Sequence, residues 1–105
     1  MVDIKVRVKT LWEDFELFKK SFGISEKEVA LKKLTEDSLD PELWNDQNKA
    51  RQVMRDLSDL KTELDEVKNL EEEIKIIESL VESGEDLTNE VKKIEARLYK
   101  LILKT

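Results

Sequence analysis

From Gln47 to Glu82 the chain runs without a glycine or a proline. Apolar residues along that run fall at Val53, Leu57, Leu60, Leu64, Val67, Ile74 and Val81 in a three-and-four spacing, with Leu70 and Ile77 one residue early. Such spacing lines one side of a helix. The early steps follow 3.6 residues per turn rather than a strict 3.5, which favours a short bundle over a long regular coiled coil. At about 1.5 Å per residue, a helix over residues 46–82 is roughly 55 Å long.

The remaining breakers punctuate the chain on either side of this rod. Ser83-Gly84-Glu85-Asp86 forms a turn, with Gly84 closing one helix and Asp86 placed to cap the next. The apolar stripe resumes at Leu87, Val91, Ile94, Leu98 and Leu101, predicting a final helix over 87–104 that returns antiparallel to the rod. Upstream, Asp40 is a good N-cap and Pro41 suits a first helical position, so residues 40–44 read as one short helical turn. Leu39 and Trp44 stand at the two ends of a hydrophobic staple, which turns Trp44 inward against Ala50 and Val53. Asn45 and Asp46 stop that turn and cap the rod. Ser25 followed by Glu28 has the pattern of a capping box, predicting a helix over 26–36 that buries Val29, Ala30, Leu31 and Leu34.

The first stretch supports two readings. Val2, Ile4, Val6 and Val8 alternate with charged residues as in a strand, whose partner would come from another chain. Ile4, Val8, Leu11, Phe15, Phe18 and Phe22, widened by Trp12, instead follow a helical seam. A lone strand leaves its backbone groups unpaired, so a helix over 4–21 ended by a left-handed Gly23 is preferred. The fold expected is a single all-α domain over 1–105: a helical bundle on a long antiparallel hairpin with two shorter N-terminal helices. Those first two helices should cover the rod around Val53 to Leu64.

Composition narrows the chemistry. The chain has 105 residues, with no cysteine and no histidine, which removes disulfides, thiolate metal sites, the usual general base and the usual zinc ligand. No apolar run reaches the roughly 18 residues of a membrane span. The charged, alternating N-terminus is not a signal peptide, so the cytoplasm is the default compartment. Residues 35–88 carry seventeen acidic and six basic side chains, while the two flanks are mildly basic. That pattern suits an antiparallel bundle whose neighbours carry opposite sign, and it argues against a direct grip on nucleic-acid phosphates.

Carboxylate pairs such as Asp59 with Glu63 and Glu71 with Glu78 lie on predicted solvent faces, where nothing shifts a pKa for acid–base work. Glu71-Glu72-Glu73 reads as a solvated face. Gly23 and Gly84 stand alone, so there is no phosphate loop, and residues 40–47 lack the oxygen spacing of a calcium loop. The stripe of Trp12, Phe15, Phe18 and Phe22 reads as core before it reads as a stacking platform for bases. No catalytic, cofactor or metal residue is expected. The structural anchors are Asp40, Pro41, Leu43, Trp44, Asp46 and Gly84.

The stretch LDPELWNDQNKARQVMRDLSDLKTELDEVKNL, residues 39–70, resembles the N-terminal helical domain of bacterial class I peptide chain release factors of the release factor 2 type. The matching positions are Asp40, Pro41, Leu43, Trp44, Asn45, Asp46 and Ala50, followed by the leucine-lined helix. The lead-in SFGISEKEVALKKL and the hairpin at Gly84 also fit the family's layout, so the resemblance extends over about residues 11–103. Gln47 departs from it, since the family often has proline there. The specific part is the Pro-x-x-Trp-Asn-Asp turn; leucine heptads match many unrelated proteins.

The resemblance implies a helical arm acting in translation termination, contacting the stalk-base region of the large ribosomal subunit and the rest of a release factor chain. The family's Gly-Gly-Gln and Ser-Pro-Phe tripeptides do not occur in this sequence, so the expectation is a fragment without hydrolysis or codon reading of its own. Two other readings stand beside it. One is a stand-alone helical-hairpin interaction module that forms homo-oligomers. The other, a tRNA-binding arm, is disfavoured by the acidic rod.

Overall fold

A computed structural model describes residues 3–104. Four helices and one 3₁₀ turn make up the described chain, which has no strand: α1 (Ile4–Phe22), α2 (Ile24–Ser38), the 3₁₀ turn Pro41–Asn45, α3 (Gln47–Val81) and α4 (Thr88–Lys104). The fold is all-α. The chain clusters into two compact units, one of residues 1–22 with 67–105 and one of residues 23–66.

The first unit holds most of the core. Asp3 starts α1: its carbonyl accepts from the Val6 and Arg7 N–H groups and its side chain from the Lys5 N–H. A helix thus satisfies the backbone locally, and residues 4–8 form no strand; Val2 lies outside the described residues. The buried stripe of α1 is Val8, Leu11, Phe15 and Phe18. The aromatic ladder continues from Trp12 edge-on to Phe15, through Phe18, to Phe22 stacked on Phe18. The Trp12 indole N–H is buried without a hydrogen-bond partner among the described residues.

α1 packs on α4, and ion pairs fix the arrangement. Arg7 meets Glu95 of α4, while Lys19 reaches Glu71 of α3 at 3.2 Å and Lys5 reaches Glu82 at 3.9 Å. Arg97 of α4 binds Glu73 of α3. α1 and α4 therefore both run antiparallel to residues 67–81, closing a three-helix core. Phe15, Leu70, Ile74 and Val91 are completely buried in it. Each such side chain contributes about 1.5–3 kcal/mol through burial. The position of α1 corrects an expectation: its aromatic stripe seals the 67–81 stretch, where three stripes can enclose side chains fully, rather than Val53 to Leu64.

Gly84 turns the chain between α3 and α4 at φ 80°, a conformation costly to any residue with a Cβ. Asp86 accepts from the Thr88 N–H at 3.2 Å. Val91, Ile94, Leu98 and Leu101 form the buried face of α4.

In the second unit α2 lies along the N-terminal half of α3, tied by Lys27 to Glu63 at 3.0 Å. Two corrections belong here. The Ser25–Glu28 capping box does not form: α2 begins at Ile24, its N-cap is Gly23 at φ 73°, and no side chain caps it. The Lys27 N–H bonds the Gly23 carbonyl at 3.0 Å, so the left-handed glycine joins α1 to α2 directly and Ser25 falls inside the first turn. Nor does α2 bury its apolar residues: none is buried, Val29 is 70% exposed and Ala30 is exposed, leaving Leu31 and Leu34 half-buried. A two-helix seam covers each stripe from one side only. Val53, Leu57, Leu60 and Leu64 of α3 are accordingly half-buried as well.

Candidate docking surface

The Pro-x-x-Trp-Asn-Asp turn is built from local hydrogen bonds. Asp40 adopts extended backbone and its carboxylate accepts from the Glu42 N–H at 3.0 Å, with Pro41 at the first helical position. The Leu43 N–H bonds the Asp40 carbonyl, and the Asp46 N–H bonds the Leu43 carbonyl. Asp46 then caps α3, accepting from Lys49 N–H through its side chain at 3.2 Å and from Ala50 N–H through its carbonyl at 2.9 Å.

These bonds decide which side chain of the turn faces inward. Leu43 and Ala50 are the buried residues of this region. Trp44 is 56% exposed and Leu39 is 76% exposed, so the staple between them is not made. The tight 3₁₀ rotation allots the one inward position to Leu43 and swings Trp44 outward. Its ring lies over the first turns of α3, where Trp44, Gln47, Ala50, Arg51 and Met54 line an open groove of about 370 Å³. Met54 is itself 41% exposed. An exposed indole beside a flexible thioether and a guanidinium makes an apolar platform with a cationic edge. Tryptophan, methionine and arginine are residue types enriched at protein contacts. Among the described residues there is no cluster of His, Cys, Asp or Glu able to hold a metal ion.

Elsewhere one carboxylate stands out. Burial alone would raise the pKa of Glu71, but hydrogen bonds and charge from Lys19, and then from Lys75, hold it below the ordinary carboxylate value. Burial pulls Lys19 down, and the hydrogen bonds and charge of Glu71 and then Glu16 together outweigh that, leaving the ammonium above the usual lysine value. This is a structural pair on the α1–α3 seam. Glu78 is exposed.

The PCRF domain family matches residues 27–105, which include the whole Trp44 platform and the hairpin at Gly84. The chain belongs to the PCRF domain family. A relative, peptide chain release factor 2 of Petrotoga mobilis, is 38% identical over 96 residues, covering 91% of this chain and 26% of its own length. The chain thus spans about a quarter of that relative. No solved structure matches the chain. In this PCRF domain the matched residues begin within α2, so α1, which supplies Phe15 and Phe18 to the core, lies outside the family match. No helix of the described PCRF domain is long and apolar enough to cross a membrane. Arg51 and Met54 of the platform were not singled out from the sequence. The signal for them was available, since both lie off the apolar seam and in about the first two turns of the helix that follows the tryptophan.

Proposed function

We propose that this chain acts in translation termination as the N-terminal helical domain of a peptide chain release factor. In that role it is a docking element that contacts the ribosome in the stalk-base region of the large subunit, beside the rest of a release factor chain. It is not an enzyme by itself and works in the cytoplasm. The observation that carries the reading is the family match across residues 27–105, reinforced by 38% identity to a peptide chain release factor 2. That match disfavours a stand-alone hairpin module.

The Trp44 platform is the surface the domain offers. A 56% exposed tryptophan is not there for the core, and large aromatic anchors are the residues that concentrate binding energy at interfaces. Cosedimentation of the chain with purified ribosomal subunits tests the reading. Binding to large subunits that weakens in Trp44→Ala is the expected result. No association with either subunit would overturn the ribosomal reading, and unchanged binding in Trp44→Ala would remove the platform from it.

A further inference from the structure

A second surface lies on the other unit, on the flank of α4 away from α1. Lys93, Arg97, Lys100 and Lys104 are spaced four, three and four residues apart. At 100° per residue they fall within about 60° of one another and form a single cationic stripe. Arg97 is paired, with Glu73 of α3. Among the described residues Lys93, Lys100 and Lys104 form no ion pair.

Like charges at these spacings repel along a helix. The helix dipole offsets this for Lys104 in the last turn, but it does not reach Lys93. Arg7 meets Glu95 on the opposite flank, so α1 leaves the stripe open. Beside the stripe a groove of about 300 Å³ runs between α3 and α4, lined by Glu73, Ile76, Ile77, Glu90, Lys93, Ile94 and Arg97. Ile76, on its lip, is 56% exposed.

From this arrangement we infer that the α3–α4 groove is a docking site for an acidic amphipathic helix of a partner protein. The partner's apolar seam lies on Ile76 and its carboxylates meet Lys93, Lys100 and Lys104. The pairing of an apolar floor with a cationic rail is the mode by which grooves take helices. Phosphate backbones fit less well. Ile76, Ile77 and Ile94 offer them nothing, whereas the apolar seam of an amphipathic helix covers the exposed Ile76. The apolar floor therefore selects a protein partner, the lysines select an acidic one, and the site stands independently of the release-factor reading.

A labelled synthetic peptide of about three heptads, with Leu at a and d and Glu at e and g, serves as the probe. Its controls are the same peptide with Lys for Glu and a short RNA duplex. Fluorescence anisotropy should show the Glu peptide binding, more weakly as salt rises, with neither control bound. Lys93→Glu with Lys100→Glu, and separately Ile76→Asp, should each weaken binding on the order of tenfold. Circular dichroism should show both variants still helical, since the substituted residues are exposed. Lys93→Gln with Lys100→Gln provides a milder pair should the reversal disturb folding. Equal binding of the Glu and Lys peptides, preference for the RNA, or an unchanged affinity in Ile76→Asp would each overturn the inference.

Discussion

Two lysines converge on Glu71, Lys19 at 3.2 Å and Lys75 at 3.4 Å. With its pKa held below the ordinary 4.5, Glu71 stabilises the fold above that pH and loses this contribution as pH falls through its folded value. Lys19, raised above 10.5, contributes below that pH and loses its share as pH rises beyond it. Thermal melts of wild type and Glu71→Gln should therefore differ near neutrality, begin to approach each other below about pH 4.5, and meet once pH has fallen under the folded value of Glu71. A gap that persists in acid would show that the pair is not the source. At Trp44 the exposed ring sets the expectation: Trp44→Ala costs less than about 1 kcal/mol in a denaturant melt. Ile74→Ala, in the fully enclosed core, costs about 2–5 kcal/mol. The inward Trp44 read from the sequence misjudged one rotation. The staple pattern and a 3₁₀ turn share the same residues, and the tighter turn brings Leu43 rather than Trp44 to face the core.

At the scale of elements, the breakers and stripes carried most of the information. Gly23 and Gly84 both have positive φ, and the stripe of α4 was visible because every fourth or third residue of it is buried. The long run without Gly or Pro forms one helix, Gln47–Val81. The start of α2 was not legible, because Ser25-x-x-Glu28 satisfies a capping box on paper while a left-handed glycine two residues earlier already opens the helix. The exposure of Val29 and Ala30 was hidden too, since periodicity says which residues share a face and not whether that face is covered. Caps give the test. Asp46→Ala removes a real N-cap and should cost about 1 kcal/mol, whereas Ser25→Ala should cost only a few tenths. Equal losses in the two melts would mean that Ser25 caps α2 after all.

For the whole molecule, the distribution of the core is the feature that sequence patterning left open. Heptads run along all of α3, yet Leu43 and Ala50 are the buried apolar residues of the 23–66 unit, against Val8, Leu11, Phe15, Phe18, Val67, Leu70, Ile74, Ile77, Val81 and the α4 face in the other. Regions with few buried contacts open first. Amide hydrogen exchange should be faster across α2 and residues 47–66 than across α4 and residues 67–81; uniform protection would contradict this division. The residues showed which stripes exist; the number of helices sharing each one is set by tertiary packing. The most direct test of the account as a whole is a chimera in which this chain replaces the matching segment of the Petrotoga mobilis release factor 2, assayed for peptide release on stop-codon-programmed ribosomes. The account predicts release within about tenfold of the parent, a barrier difference of about 1.4 kcal/mol. A folded chimera that fails to engage ribosomes would contradict it.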